Sequence, residues 1–284
     1  MPLMKYQLWD MSWKEAEEAF KKSDTAIMPV GTLHGHGPTP ISIDASSVEK
    51  LADEVGKRTG LLVLPVIPYG EDEKMKYYPG SIAISPNIIE GVYTDICRSL
   101  HRNGIRKVIF LNGHGGNCEA LIRTGGSVRE FGMLIAIVEW WKIGQQVMPD
   151  LFPVRRALPA VFMQELAVAV AIEGKDVVDV GRSGYKGEWG DNPTKKIFGD
   201  KIIPIRFNDF EYKGGQVIIP MEAWDLDLEG PPNVSYDDLD GLAQRGQEMI
   251  KRLADYIADF AKEFERIDVS SILKPSESHA ENCP

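Results

Sequence analysis

Four apolar runs separated by helix-patterned stretches leave few folds open to this 284-residue chain. "TAIMPVG", "LLVLPVIPYG", "KVIFLNG" and "MLIAIVEWW" each have the length and apolarity of a buried strand, and each closes on glycine or a pair of aromatics. Pro65 inside the second argues that pairing stops near it, because proline has no N–H to donate to a ladder. Between the runs, Ser46 to Arg58 places Val48, Leu51 and Val55 on one helical face, with Asp44 positioned to cap the start. Ile88 to Leu100 and Glu119 to Phe131 carry the same periodicity. This alternation predicts an α/β fold, a single domain with a mostly parallel central sheet flanked by helices. In such sheets ligands gather beyond the carboxyl ends of the strands. Here those ends are Gly31, Tyr69 and Gly70, Gly113, and Trp140 and Trp141.

The remaining third is less regular. A helix is expected from Ala160 to Glu173, then a glycine-rich loop from Gly181 to Asp200. "KIIPIRF" and "GGQVIIP" bracket "NDFEYK" as a hairpin, and Tyr236 to Phe264 has the spacing of a long terminal helix. The domain is expected to span residues 1–266, with 267–284 a polar tail that frays or reaches a neighbouring subunit. A net charge of -10 argues against non-specific binding to nucleic acid or an anionic membrane. No apolar run reaches the roughly 18 residues of a membrane span. The N-terminus lacks the basic-then-apolar order of a signal peptide. Cys97, Cys118 and Cys283 are an odd, scattered set that suits a reducing cytoplasm better than a disulfide framework.

Three of the five histidines lie in glycine-rich turns at predicted strand ends. In "HGHGPTPISID", His34 and His36 share a face if the segment is extended, and Asp44 can return to the same space. Imidazoles with a carboxylate form a donor set that Zn²⁺, Mn²⁺ or Fe²⁺ accepts. The same residues also read as a chance pair in a turn with a helix N-cap, and the stretch alone leaves both open. "FLNGHGGNCE" puts His114 between a strand and a helix. It lacks the spacing of a phosphate-binding glycine loop, so a ligand role facing His34 and His36 is the better account. His101 and His279 look structural or surface.

These blocks resemble the creatininase family. "MPVGTLHGHGPTPISID" is similar to its opening P-x-G-x-x-E-x-H-G-x-H-L-P-x-x-x-D, and "LPVIPYGEDEKMKYYPGSI" to its second block, Y-G-x-S-x-E-H-x-x-F-P-G-T-I. "FLNGHGGN" nearly reproduces I-L-N-G-H-G-G-N, and "GEWGDNPTKKIFGD" resembles a later G-V-x-G-D-P block, all in family order from Pro29 to Asp200. The resemblance implies a hydrolase dependent on one or two divalent ions, zinc or manganese foremost and iron third, in an α/β fold that assembles as homo-oligomers, often hexamers. It implies His36, Asp44 and His114 as metal ligands, with Asp44 bridging. Glu165 falls where the family has the second glutamate of H-A-G-E-x-E-T-S, implying a ligand or base; it also sits in a very apolar stretch, where a solvated charge would be misplaced.

The departures shape the expected chemistry. His34 replaces a metal-binding glutamate, Ala160 a histidine that resembles a proton donor, Met75 a histidine and Asp72 a serine. The loop before Asp44 is one residue shorter than the family pattern. Asp72, Glu139 and Glu188 are candidates to replace the lost acid, and Tyr78, Gly115, Trp140 and Trp189 are candidate substrate contacts. The expected substrate is a small cyclic molecule. Loss of an acid at position 160 favours C–C opening of a cyclic polyhydroxy diketone such as an oxidised inositol over creatinine-like C–N opening. A non-catalytic binding protein or a structural subunit of a hexamer are the rival readings.

Overall fold

The computed structural model describes residues 5–35, 37–152, 159–179, 201–204, 209–221 and 238–271. Its centre is a four-stranded parallel sheet of β1 (Thr25–Val30), β2 (Leu62–Val63), β3 (Lys107–Asn112) and β4 (Leu134–Glu139), in the order β2-β1-β3-β4. Thr25 lies opposite Lys107, and Lys107 opposite Leu134, so β1, β3 and β4 end together at Val30, Asn112 and Glu139. β2 is short for the reason Pro65 suggests. After Val63 the ladder survives only as isolated bridges such as Val30 with Ile67.

The alternation of side chains along each strand divides the core in two. Ala26, Met28, Val30, Val108 and Phe110 face one side, where α3 (Pro86–Arg102) and α4 (Asn117–Arg129) cover them. Ile27, Ile109 and Leu111 face the other, beneath α2 (Ile43–Thr59), α6 (Pro159–Glu173) and α7 (Leu239–Glu265). α1 (Trp13–Lys22) precedes the sheet, its start fixed by a capping box between Ser12 and Glu15. α2 buries Val48, Leu51 and Val55 as its spacing requires and ends at Gly60, whose φ of 71° is the left-handed stop that glycine accepts without strain.

Three expectations change. Asp44 is not a cap: Ser42 holds that position, and Asp44 sits buried in the first turn of α2. The fourth run stops at Glu139, and Trp140 and Trp141 open a further helix, α5 (Trp140–Val147). "NDFEYK" is not a connector but contains β6 (Asp209–Tyr212), the centre of an antiparallel sheet with β5 (Ile202–Pro204) and β7 (Gly215–Ile218). The turn falls at Lys213 and Gly214, both with positive φ (51° and 80°), the backbone of a tight two-residue hairpin. The predicted loop Gly181–Asp200 and the tail beyond Ser271 lie outside the described residues.

α7 lies against α6 at Gly246, where an added Cβ would stand 2.0 Å from the Ala167 carbonyl oxygen and 2.9 Å from the Ala171 Cβ. Gly246→Ala is therefore expected to destabilise by about 1–3 kcal/mol, against the ~1 kcal/mol that alanine's helix propensity would add. Gly241→Ala, with nothing within 4 Å, should be neutral or stabilising. Urea midpoints of the two variants check this, and equal midpoints would refute the close approach.

At the amino edge of the sheet Lys107 is buried, 2% exposed. Its ammonium donates to the Glu265 and Ile267 carbonyls (2.5 and 3.0 Å) and pairs with Asp24 (3.0 Å), fastening the end of α7 beneath β3.

Candidate metal centre

At the opposite, carboxyl edge the strand-end turns converge. Gly31 and Gly113, which follow β1 and β3, lie against the start of α2. A Cβ at Gly113 would stand 1.9 Å from the Asp44 carbonyl oxygen, and one at Gly31 would stand 2.5 Å from the Ala45 Cα. Only glycines let both strand ends reach the turn that carries Asp44. Beside them stand His34, 4% exposed, and His114, 8% exposed, with ring centroids 4.7 Å apart and planes nearly perpendicular.

Two buried aspartates flank this imidazole pair on different edges. Asp44 Oδ2 lies 2.9 Å from His34 Nε2 and accepts a hydrogen bond from His114 Nδ1, also at 2.9 Å. Asp72 Oδ1 lies 3.4 Å from His34 Nδ1 and 3.5 Å from His114 Nε2. Each carboxylate thus addresses one nitrogen of each ring. Asp72 is 2% exposed, and neither of its oxygens is in a well-formed hydrogen bond. A buried carboxylate left so is costly unless a cation joins it. Donor atoms of His34, Asp72 and His114 all lie within 4.8 Å of one another. This set of imidazole nitrogens and carboxylate oxygens fits a divalent transition ion.

Backbone and amide groups hold the frame. Asn112 Oδ1 accepts from the His114 N–H (3.1 Å) and from Asn117 Nδ2 (3.3 Å). Asn117 Nδ2 also donates to the Gly31 carbonyl (3.1 Å), and its Oδ1 accepts from the Glu71 N–H (2.9 Å). Asn117 is fully buried and ties β1, the 70–72 loop and α4 together. Asn117 is not among the residues that histidine and carboxylate patterns single out, and its place as the last residue of "NGHGGN" is the signal the sequence carries for it.

Burial pushes the His34 imidazole down, but the charge and hydrogen bond of Asp44, with Asp72 behind it, outweigh this and raise its pKa from 6.5 to about 10 in the metal-free chain. A folded pKa above the unfolded one means that this contribution is fully present below about pH 6.5 and is lost as pH rises through about 10. Chelator-treated protein should accordingly show a lower urea midpoint at pH 10 than at pH 6.5. Added Zn²⁺ or Mn²⁺ should reduce the difference by replacing the proton. An unchanged midpoint without metal would refute the pairing.

The structure treats the other candidates differently. Glu165 is buried on α6, 4% exposed, but outside the set of atoms within 4.8 Å. Tyr78 packs near Gly35, whose added Cβ would meet the tyrosine Cβ at 3.6 Å, and Gly115 faces open space. Trp140 is 1% exposed and packs in the core beneath α6 and α7, where the chain turns into α5. Glu139 accepts from the Cys118 thiol (2.8 Å) and pairs with Lys142. His36, Glu188 and Trp189 lie outside the described residues.

A parallel α/β sheet with a cage of histidines and carboxylates beyond its strand ends defines the class. The chain belongs to the creatininase family: residues 9–168 match the family model described as creatinine amidohydrolase. It is 31% identical over 115 residues to creatinine amidohydrolase of Pseudomonas putida, covering 38% of this chain and 44% of that protein. It is also 31% identical over 137 residues to 3-dehydro-scyllo-inosose hydrolase of Thermotoga maritima (48% and 40%). A third relative, mycofactocin precursor peptide peptidase of Mycolicibacterium smegmatis, is 30% identical over 113 residues (37% and 45%). The chain therefore spans less than half the length of the curated relatives it matches. A solved structure of creatinine amidohydrolase shares the fold with a TM-score of 0.69 at 20% identity, covering 93% of this chain and 99% of that one. A structure described as manganese creatininase aligns at 0.67, also at 20% identity, covering 93% and 100%. Among the described residues no helix is long and apolar enough to cross a membrane.

Proposed function

We propose that this chain is a metal-dependent hydrolase that opens a small cyclic substrate by attack of water on a carbonyl. The carrying observation is the buried His34–Asp44–His114–Asp72 cage, whose two carboxylates call for a cation. A divalent ion held there, zinc or manganese foremost, would supply Lewis acidity that makes water a nucleophile near pH ~7 and polarises the carbonyl. His34 and His114 would hold the ion through ring nitrogens, with His36 as a further ligand by family resemblance. Asp44 fixes the imidazole rings, and a carboxylate that accepts one ring N–H makes the other nitrogen a better donor. Asp72, which the sequence offered as a replacement acid, is better placed as part of the cage, since it touches both rings. Glu165 is the proposed proton carrier, taking a proton from water and returning it to the departing atom. Hydrolysis then leaves OH on the carbonyl carbon and H on the atom that leaves it.

For the substrate we favour a cyclic polyhydroxy diketone, whose C–C bond opens to an enolate that needs little acid assistance. Alanine at position 160 supports that choice over a creatinine-like amide, and a 3-dehydro-scyllo-inosose hydrolase is among the relatives at 31% identity, the same as creatinine amidohydrolase. Association into homo-oligomers is part of the same proposal, supported by Trp9 and Trp13, which are 78% and 74% exposed. Product analysis after incubating metal-loaded protein with a diketo-inositol and with creatinine tests the reading. Turnover of creatinine alone would overturn the substrate. Ligand binding without metal uptake or turnover would leave a binding protein instead.

A further inference from the structure

The Asp72 edge of the cage has a neighbour that neither the sequence reading nor the family pattern singles out. The motif that the second block resembles leaves position 71 unspecified, and Glu71 there reads as one acid in the charged run "EDEKMK". In the fold it is half-buried and turned toward His114. The space it uses is the notch beside Gly116. A Cβ built on Gly116 would lie 2.6 Å from Glu71 Oε2 and 2.6 Å from His114 Nε2, so both atoms crowd one point. His114 Nε2 is also the nitrogen that faces Asp72 Oδ1 at 3.5 Å.

The backbone holds Glu71 in that place. Its N–H donates to Asn117 Oδ1 (2.9 Å), and its other carboxylate oxygen, Oε1, accepts from the Glu73 N–H (3.3 Å). Among the described residues no lysine or arginine forms an ion pair with it. Its neighbour Glu73 has one, with Lys76 at 2.8 Å. Glu71 is thus a half-buried carboxylate that Lys74 and His114 influence only through their charge, beside a buried aspartate whose oxygens lack well-formed hydrogen bonds.

We propose that Glu71 is a further carboxylate ligand of the metal centre, entering through the Gly116 notch to complete the edge formed by Asp72, His34 and His114. The inference rests on the metal-dependent reading above. It places two carboxylates, Asp72 and Glu71, on the edge that His34 and His114 present, offsetting the negative charge lost where His34 replaces the family's glutamate, and such a mixed oxygen and nitrogen set suits manganese as well as zinc.

The test is calorimetric titration of Mn²⁺ and Zn²⁺ into chelator-stripped full-length wild type, Glu71→Gln and Glu73→Gln. Glutamine keeps the shape and the oxygen that receives the Glu73 N–H, so the fold, followed by circular dichroism, should survive. Glu71→Gln should bind Mn²⁺ about 10–100-fold more weakly, while Glu73→Gln stays within twofold of wild type. Visible absorption of the Co²⁺-loaded proteins gives a second readout, since loss of a ligand should alter the Co²⁺ bands of Glu71→Gln. If Glu71→Gln does not fold, Glu71→Asp replaces it, with the same Co²⁺ change expected from the shortened ligand. Wild-type affinity and an unchanged Co²⁺ spectrum in the variant would overturn this inference alone. A wild-type chain that takes up no ion would overturn it together with the hydrolase reading.

Discussion

A His114→Ala variant is expected to lose at least ~100-fold in Zn²⁺ or Mn²⁺ affinity while keeping its fold. That is the upper end of what loss of a mere supporting group costs a metal site, and His114 is more than a support. It contacts both buried carboxylates, Asp44 at 2.9 Å and Asp72 at 3.5 Å, so its removal takes a donor from both edges of the cage. The fold should survive because the ring contributes to polar pairing rather than to either apolar core. Losing its hydrogen bond to Asp44 should cost about 1–3 kcal/mol, against the roughly 5–15 kcal/mol that holds a domain together. Equilibrium dialysis with metal analysis, beside a thermal melt, separates the two effects. Undiminished metal content in the variant would refute the cage.

Among the described glycines, Gly113→Ala should be the most damaging added methyl. Its Cβ would stand 1.9 Å from the Asp44 carbonyl oxygen, 2.9 Å from the carbonyl carbon and 3.1 Å from Val48 Cγ1. The first two are backbone atoms in the opening turn of a helix, so no rotamer change relieves the clash. Either β3 or α2 must shift, at a cost of about 3 kcal/mol or more, and the shift carries Asp44 away from the imidazoles. Stability and metal affinity should fall together. Gly115→Ala is the matched control: nothing lies within 4 Å of its added Cβ, so its stability should stay within about 0.5 kcal/mol of wild type. If denaturation curves of the two variants coincide, the close approach of strand and helix is refuted.

The scaffold was legible because periodicity reports burial. Val48, Leu51 and Val55, or Ile27, Ile109 and Leu111, can be read as inward-facing from spacing alone, and they are. The strand ends that carry His34 and His114 follow from the same reasoning. What spacing cannot report is how a polar loop folds back. Glu71 lies in a run of charges that reads as solvated, Asp72 beside it reads only as a replacement acid, and it is the docking of that loop on Asn117 that buries Asp72 against the imidazoles. Asp44 looked like a helix cap because capping is local and visible, whereas its bond to His114 spans 70 residues of chain. The fourth run reads as strand through Trp141, and the change into helix at Trp140 leaves no mark in the apolar pattern.

The pairing of β1 with β3 also sets a timetable. Val30 has no β3 partner until Asn112 has been made, and the 70–72 loop has no Asn117 to dock on until five residues later. During synthesis β1 therefore waits, one apolar edge unpaired, through two intervening helices. Parallel sheets with such distant partners fold slowly and expose sticky surface meanwhile. His114 lies beyond β3, so the cage cannot be complete before that strand has been made, and an ion has no full ligand set to recruit on the shorter chain. A chain arrested before Asn112 would offer β1 with an unpaired edge where the finished protein offers a candidate metal site.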